Sequence, residues 1–341
     1  MIIYLHRFTF AILLAGILFT ASFAQAELKS GIDLFNSGKN KEAVAKFKML
    51  SRSDPKNPEV WNYLGLAYMN SDDVKNGRKA FEKAVKLNNS STSYLANLAY
   101  ANLLSRKLNK TQDLCHKALE IDPNNANAYY IRGTSYLWER QYKKALADAE
   151  MAIKLRPTFL QPYVLQADAL LYDFGDGWAK AFKESDKSGF VIENISAIEQ
   201  ALDILRKCES ACEKGNDLEF LLERKAGMNA FLDYFRNHSG TPDPGSDAPN
   251  DSNLIGLKII SKPRPGYTNS ARAAGVQGVI FLSAVFDADS TIKHVFVLKG
   301  LGNGLDQQAI AAARKIEFEP ARRDGNPYSV VKIIQYNFTI Y

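Results

Sequence analysis

The chain is poor in the residues that usually carry chemistry. Its 341 residues include only three cysteines and four histidines, which are too few and too scattered for a disulfide framework or a metal centre. HExxH, GxSxG and phosphate-loop motifs are absent from the sequence. The net charge of +6 is spread over 43 basic and 37 acidic residues without a basic run. We therefore expect no enzyme, no cofactor, no metal and no nucleic-acid partner.

A long hydrophobic run occurs only near the N-terminus. Residues 8–23 are almost wholly apolar, follow Arg7 and end at Ala24-Gln25-Ala26, the small-x-small pattern of signal peptidase sites. Residues 1–26 are thus predicted to be a cleaved signal peptide, with export to the periplasm. The run is shorter than the roughly 20 apolar residues of a spanning helix. The alternative is a retained single-pass anchor in the inner membrane, and membrane contact is expected only in that case.

Small residues recur every 34 positions along the first half of the chain. They are Gly31, Gly65, Ala99, Gly133 and Ala167, and Pro55, Pro123 and Pro157 each close a unit. This pattern resembles the tetratricopeptide repeat (TPR), which implies an all-α solenoid of stacked helical hairpins over residues 27–188. The fifth unit fades, because Lys183 and Asp186 stand where core residues belong.

The resemblance implies that the first helix of each unit lines the inner face of the solenoid. The side chains expected on that face are Asn62, Leu66, Asn70, Tyr100, Leu104, Tyr130, Thr134 and Trp138. Aromatic and amide side chains suit an extended peptide or a partner helix, so a protein or peptide partner is expected here. The alternative is that these side chains fill contacts between neighbouring repeats.

The repeat gives way to longer helical patterns at residues 189–237, which predict irregular capping helices. Within them, Cys208 and Cys212 lie four residues apart on one helical face. Such a pair suits structural or incidental cysteines, because a disulfide inside a helix is strained and no third ligand completes a metal site. Residues 238–252 are rich in Pro, Gly, Ser and Asp and predict a linker.

Residues 253–341 change to the alternating pattern of β-strands. Two strands at 280–286 and 292–298 are joined by a turn, a helix follows at 305–315, and residues 329–341 form a closing strand. A short helix is expected near residues 269–274. The prediction is a small α+β domain with a three-stranded antiparallel sheet, one face of which the helix covers.

The same segment carries a set of ordered motifs. They are Pro263-Arg264-Pro265-Gly266-Tyr267 with Ala271-Arg272, Gly275 and Gly278, then Leu305-Asp306 with Ala309, Phe318 with Pro320-Ala321, and Asp324-Gly325 with Pro327. Together they resemble the C-terminal domain of TonB. The resemblance implies that a partner peptide, such as a segment of an outer-membrane transporter, adds to the sheet edge as an extra strand. It implies partner contacts at Tyr267, Arg272, Ser329, Val331, Ile333 and Gln335.

Two interaction modules without a catalytic constellation predict a non-enzymatic adaptor of the cell envelope. In this hypothesis the repeats bind one partner and the C-terminal domain binds another. The alternative is a TonB-type energy transducer, anchored in the inner membrane by residues 8–23, that supports transport across the outer membrane.

Overall fold

The computed structural model describes residues 25–184, 195–212, 217–237 and 253–340. Residues 8–23 and the predicted linker at 238–252 lie outside these ranges. None of the helices within them combines the length and the apolarity that a bilayer crossing requires. The chain divides into two compact units, Met1–Asp122 and Pro123–Tyr341.

Helices dominate the described residues up to position 237. With the two short helices of the C-terminal domain they are α1 (25–36), α2 (Asn40–Ser53), α3 (Pro58–Asn70), α4 (Val74–Leu87), α5 (Thr92–Leu104), α6 (Leu108–Ile121), α7 (Ala126–Trp138), α8 (Tyr142–Leu155), α9 (Leu160–Glu184), α10 (Ser196–Ala211), α11 (Asp217–Asn237), α12 (Asn269–Ala273) and α13 (Leu305–Ala313). The starts of α3, α5 and α7 are set by side-chain caps at Asn57, Ser91 and Asn125, which lie 34 residues apart and each accept a main-chain N–H.

The small residues of the 34-residue pattern lie where the two helices of a hairpin touch. In the first unit a Cβ at Gly31 would be 2.8 Å from Cε1 of Phe47, and Gly65 lies against the ring of Phe81 in the same way. Both phenylalanines are buried. The prediction that these positions allow close helix approach is confirmed.

The turn inside each hairpin has a left-handed residue at one fixed position of the repeat. These residues are Gly38, Asp72, Arg106 and Arg140, with φ of 74°, 59°, 54° and 60°. The fifth repeat has Phe174 at this position, and a bulky side chain disfavours the left-handed backbone conformation. The chain makes no turn there, and α9 runs on to Glu184. The fifth repeat is therefore one long helix and not the hairpin expected from its faded pattern.

The N-cap of α4 gives a first prediction. Asp73 accepts the main-chain N–H of Asn76 at 3.1 Å, whereas Lys107, 34 residues later, makes no side-chain cap for α6. Replacing Asp73 with alanine is expected to lower the free energy of unfolding of the first unit by about 1 kcal/mol, because one main-chain donor loses its partner. Urea unfolding measures this, and Lys107→Ala is the matched control with little expected change. Equal losses in both variants would contradict the capping role.

The C-terminal domain contains more strands than predicted. They are β1 (Leu254–Ile255), β2 (Lys258–Ser261), β3 (Gly278–Phe286), β4 (Ile292–Lys299), β5 (Glu317–Glu319), β6 (Ala321–Arg323), β7 (Asn326–Tyr328) and β8 (Val330–Phe338). The main sheet has the order β4-β3-β8 and is antiparallel, as predicted, with Leu282 opposite Val297 on one side and Ile334 on the other. The additional strands form two small sheets, β1-β6-β7 and β2-β5, and are too short to show a period of two in the sequence.

Both faces of the main sheet are covered by helices. Ile280, Leu282 and Ala284 are buried on one face, and α13 packs against β3 and β4 as expected. On the other face Phe296 of β4 meets Phe231 of α11 edge-on, with ring centroids 5.7 Å apart. The end of β4 also packs against α9. The C-terminal domain thus lies on the helices that precede the predicted linker, a contact that the sequence analysis did not predict.

Cys208 and Cys212 form a disulfide bond, although a disulfide at this spacing was expected to be strained if it lay inside a helix. The reason is the end of α10. Cys208 is in its last turn, while Cys212 is the C-cap residue with an extended ψ of 151°. Because the chain leaves helical geometry at Cys212, the two sulfur atoms do not have to meet across an intact turn of helix.

Candidate functional site

The strand β8 forms one edge of the main sheet. It pairs with β3 along its length, from Val330 opposite Phe286 to Phe338 opposite Gly278. Among the described residues it pairs with no other strand. An antiparallel edge strand of this kind presents the main-chain groups of every second residue on its open side.

The hydrogen bond of Lys262 identifies the residues that face this open side. Its Nζ donates to the carbonyl O of Gln335 at 2.8 Å, which indicates that this carbonyl points away from β3. Because the direction alternates along a strand, the main chains of Val331, Ile333 and Asn337 face the open side as well. The edge therefore offers the N–H and C=O groups of these residues to an added strand.

The opposite edge of the sheet is covered by helices. A Cβ at Gly175 of α9 would lie 3.0 Å from the carbonyl O of Leu298, and one at Gly227 of α11 would lie 2.8 Å from the carbonyl O of His294. Only glycine permits a helix to approach the main chain of β4 so closely. Within the main sheet this leaves β8 as the edge for a partner strand.

The predicted β8 residues differ in how they are placed. Val331 is buried with 8% exposure, Ile333 is half-buried and Gln335 is exposed. Ser329, just before β8, accepts the N–H of Ala288 on its Oγ at 3.1 Å and so fixes the turn between β3 and β4. Val331, Ile333 and Gln335 form the predicted edge, while Ser329 supports it.

Tyr267 and Arg272 lie beside the end of β8. The ring of Tyr267 packs edge-on against Phe338 with centroids 5.7 Å apart, and its hydroxyl donates to the carbonyl O of Val276. The exposed guanidinium of Arg272 lies 5.6 Å from the centre of the Tyr267 ring. The motif tyrosine thus holds the last residues of β8 in place, and Arg272 remains exposed beside it.

The predicted inner-face residues of the first unit are of two kinds. Asn62 is buried and accepts a hydrogen bond of 2.8 Å from Asn97, and Leu66 packs in a small apolar cluster. Asn70 is exposed and Tyr100 is 41% exposed, whereas Leu104 is half-buried. The first two side chains fill contacts between helices, and Asn70 and Tyr100 present surface to solvent.

The inner-face residues of the second unit contact other parts of that unit. Tyr130 packs edge-on against Phe159 at 5.4 Å, and Thr134 donates to the carbonyl O of Tyr130 at 2.8 Å. Trp138 lies under the C-terminal domain, because a Cβ at Gly302 would be 2.8 Å from its Cζ2. The indole expected to receive an external peptide is covered by a loop of the same chain.

Beneath this contact lies a network of charged side chains that the sequence analysis missed. Arg224 of α11 is buried and donates to the carboxylate of Asp168 on α9. Asp306, at the start of α13, accepts the main-chain N–H groups of Leu301 and Gly302. Tyr172 of α9 lies in the same network with 8% exposure. Among the described residues, Arg224 is thus the buried cation beside these two carboxylates; it forms an ion pair with Asp168 and interacts electrostatically with Asp306.

The ionisation of these groups follows from their enclosure. Burial raises the pKa of Asp168, although Arg224 opposes the shift. Burial likewise raises the pKa of Asp306, while the N–H group of Leu301 opposes the shift. The pKa of Tyr172 is well above its usual range because of burial and the nearby charge of Asp306. Enclosure thus disfavours the charged form of both carboxyl groups, and among the described residues Arg224 is the buried cation that opposes this effect.

A second polar contact joins the repeats to the end of β4. The carboxylate of Asp176 on α9 forms an ion pair with Lys299 and accepts a hydrogen bond from the hydroxyl of Tyr142 on α8. Burial and this hydrogen bond raise the pKa of Tyr142. The phenol therefore stays protonated and acts as a donor to Asp176.

One of the missed residues leaves a signal in the sequence. Leu221, Met228 and Phe231 form the apolar stripe of α11, and Arg224 stands in that stripe at helical spacing. A charge in an apolar stripe indicates a buried ionic partner. Asp306 belongs to the Leu305-Asp306 motif, but the motif does not indicate its buried neighbours. Asp168 carries no comparable mark, because it stands in a helix with other polar residues.

Two family models match the chain. The family described as "Gram-negative bacterial TonB protein C-terminal" matches residues 263–340, and a tetratricopeptide-repeat family matches residues 58–91. The matched segments are those in which the corresponding motifs were identified. They include the main sheet with its open edge.

Individual proteins are similar to the repeat part. A subunit of the formate-dependent nitrite reductase complex of Haemophilus influenzae is 28% identical over 117 residues, which are 33% of this chain and 30% of that protein. Anaphase-promoting complex subunit 3 of Schizosaccharomyces pombe is 27% identical over 136 residues, 40% of this chain and 20% of that protein. The chain thus spans a third or less of these relatives. The crystal structure of a thermophilic TPR protein from Thermus thermophilus is 18% identical with a TM-score of 0.46, and the match covers 61% of this chain and 99% of that one.

Proposed function

This chain combines tetratricopeptide repeats with a TonB-like C-terminal domain, and we propose that it is a non-enzymatic protein-interaction adaptor of the bacterial cell envelope. In this proposal residues 1–26 direct export to the periplasm and residues 27–188 form the repeat region. Residues 189–237 are capping helices, and 238–252 link them to the C-terminal domain at 253–341. The C-terminal domain captures an extended segment of a partner protein as an added strand.

The observation that carries the proposal is the unequal state of the two sheet edges. Gly175 and Gly227 let helices cover β4, whereas β8 pairs only with β3 among the described residues, so that the main chains of Val331, Ile333 and Asn337 face its open side. Main-chain hydrogen bonds to an edge strand provide affinity for a peptide almost regardless of its sequence, and side-chain contacts then select among peptides. A partner with an extended segment, such as an outer-membrane transporter, suits this edge.

Lys262 adds a selective element to the edge. Its ammonium group is held by the carbonyl O of Gln335 and lies 4.9 Å from the centre of the Tyr336 ring. An incoming strand that bonds to Gln335 displaces this ammonium group, which then needs another acceptor. A partner segment with an acidic side chain near Gln335 supplies one.

The repeats provide a separate surface for a second protein or peptide. In the first unit Asn70 and Tyr100 are exposed on the first helices of two successive hairpins. Tyrosine and asparagine side chains suit the recognition of an extended backbone. The two surfaces together make the chain an adaptor between two partners.

Replacing Ile333 with proline tests strand addition. The residue faces the open side, so proline removes an outward N–H and leaves the bonds to β3 intact. Capture of a partner from envelope extract by the purified protein is expected to fall about tenfold or more, because the added ladder is interrupted. Quantitative mass spectrometry of the captured proteins measures the loss.

Matched variants separate the two surfaces. Ile333→Val keeps the N–H and is expected to retain the partner, while Tyr100→Ala should reduce capture of a different protein. If Ile333→Pro and unmodified protein recover the same proteins in the same amounts, β8 is not the docking strand.

A further inference from the structure

Residues 299–306 run from the last residue of β4 through the connecting loop to the start of α13, and are called the 299–306 loop below. This loop lies on the repeat helices of the second unit. Gly302 packs on the indole of Trp138, with 2.8 Å between the position of a Cβ and Cζ2, and Gly300 packs on the hydroxyl of Tyr172. Any side chain at these two positions would collide with the aromatic residues. The loop therefore fits the two side chains because it is built from glycine.

The two aromatic residues occupy the same position in consecutive repeats. Tyr172 follows Trp138 by 34 residues, and Leu104 and Asn70 hold this position in the two repeats before them. All four lie on first helices, the helices expected to line the inner face. The loop thus lies across equivalent positions of neighbouring repeats, which is how a bound peptide lies along a repeat array.

The loop is held in this shape from within the C-terminal domain. The carboxylate of Asp306 accepts the N–H groups of Leu301 and Gly302 at 2.8 and 3.2 Å. Thr268 and Ser270 donate to the carbonyl O of Asn303 at 2.6 and 3.1 Å. Because the loop is shaped before it meets the repeats, little conformational entropy is lost when it docks.

A charged contact fixes the direction in which the loop lies. Lys299, its first residue, forms an ion pair with Asp176 of α9, and Tyr142 donates to the same carboxylate. Tyr142 and Asp176 are again 34 residues apart. The contacts of the loop are therefore a lysine at one end, followed by glycines over two aromatic rings.

We propose that the 299–306 loop is a built-in ligand of the inner face of the last repeats, so that this face becomes available to an external partner only when the C-terminal domain is released. The external partner that fits is a polypeptide turn with a lysine or arginine followed by small residues. This autoinhibitory contact does not depend on strand addition at β8, which stays accessible in the closed form.

The first test measures release of the C-terminal domain in the full chain. Glu223 and Arg314 form an ion pair between α11 and α13, so Glu223→Cys/Arg314→Cys, linked by a short bis-maleimide, reports docking. Adding Gly302→Val is expected to lower the crosslinking rate about fivefold or more. The control is Gly325→Val. Gly325 has a φ of +78°, close to the +72° of Gly302, but no atom lies within 4 Å of its Cβ position. The control variant therefore carries similar backbone strain without the collision.

A charge exchange keeps this test independent of loop folding. Asp176→Lys lies on a repeat helix, faces Lys299 and is expected to lower the crosslinking rate in the same way. Adding Lys299→Asp restores the opposite charges and should recover most of the rate. If neither Gly302→Val nor Asp176→Lys changes the rate, the loop does not hold the domain in place and the proposal is wrong.

The second test asks whether the released face binds a ligand. A fluorescein-labelled peptide of residues 298–306, LKGLGNGLD, is titrated against the full chain and followed by anisotropy. The Gly302→Val variant is expected to bind it saturably, the unmodified chain is not, and adding Trp138→Ala should abolish binding. Absence of binding to the released variant, or equal binding to both proteins, would overturn the proposal. Capture through β8 should persist in all these variants, which separates this outcome from a failure of the proposed function.

Discussion

Replacing Arg224 with methionine is expected to reduce the stability of the second unit by about 3–5 kcal/mol, because the enclosed carboxylates of Asp168 and Asp306 lose the cation that is buried beside them. Methionine keeps the aliphatic part of the side chain, so packing changes little. The carboxylate of Asp168 then has no ion-pair partner, and Asp306 keeps only its main-chain donors. Native-state hydrogen exchange of α11 and β4 measures the local free energy of opening.

Two further variants show whether charge is the cause. Arg314→Met removes an ion pair with Glu223 in which both side chains are more than one-third exposed, and such pairs contribute less than about 1 kcal/mol. Adding Asp168→Asn to Arg224→Met removes one of the uncompensated charges and should recover most of the loss. A double variant as unstable as the single one would mean that Arg224 acts through packing alone.

A lower pH should reduce the loss of stability that Arg224→Met causes. Burial raises the pKa of Asp168 and Asp306 above the ordinary value of 3.8, so the folded unit holds protons that the unfolded chain releases. Its stability therefore falls as the pH rises through these raised values. The deficit of Arg224→Met should be largest at neutral pH and shrink as the pH falls through the raised values; it should be smallest below 3.8, where the carboxyl groups are mostly protonated in both states. A deficit that is constant over this range would contradict the role of the carboxylates.

The repeat and the main sheet were predictable because each repeats a local pattern. The 34-residue spacing of Gly31 and Gly65 describes a helix contact that recurs in every unit, and the alternation from Ile280 to Phe286 describes one face of a strand. In both cases the residues that touch belong to neighbouring elements. Sequence spacing alone then determines which side chains meet.

The docking of the C-terminal domain was not predictable, since it joins elements that are distant in sequence. Arg224 and Trp138 each meet residues from the C-terminal domain or from another helix, and no spacing relates them. Gly175 and Gly227 were the available signals, because an isolated glycine inside a helical pattern often marks close contact with another backbone. The sequence does not state which backbone approaches, so β4 could not be identified.

Replacing Gly227 with alanine is the second change with a large expected effect on stability. It should destabilise the protein, whereas the same substitution usually stabilises a helix. An alanine in place of glycine inside a helix normally stabilises it by roughly 1 kcal/mol. Here the new Cβ would lie 2.8 Å from the carbonyl O of His294 and 3.0 Å from Cδ1 of Phe296. The oxygen belongs to β4 and cannot move without the sheet. Gly227→Ala is therefore expected to cost the second unit about 2 kcal/mol, measured by hydrogen exchange of α11 and β4.

Gly77 of α4 provides the matched control for this substitution. Its new Cβ would meet Sδ of Met69 at 2.8 Å, which is part of a flexible side chain, and the carbonyl O of Gly65 only at 3.2 Å, compared with 2.8 Å for the carbonyl O at Gly227. Ala43 and Ala145 already occupy the same repeat position. Gly77→Ala is thus expected to be neutral or to stabilise the first unit by up to about 1 kcal/mol. If Gly227→Ala behaves in the same way, α11 does not lie against β4, and the covered edge on which the selection of β8 depends is lost. If it destabilises while Gly77→Ala does not, the close backbone contact is the cause, because both changes add the same methyl group to a helix.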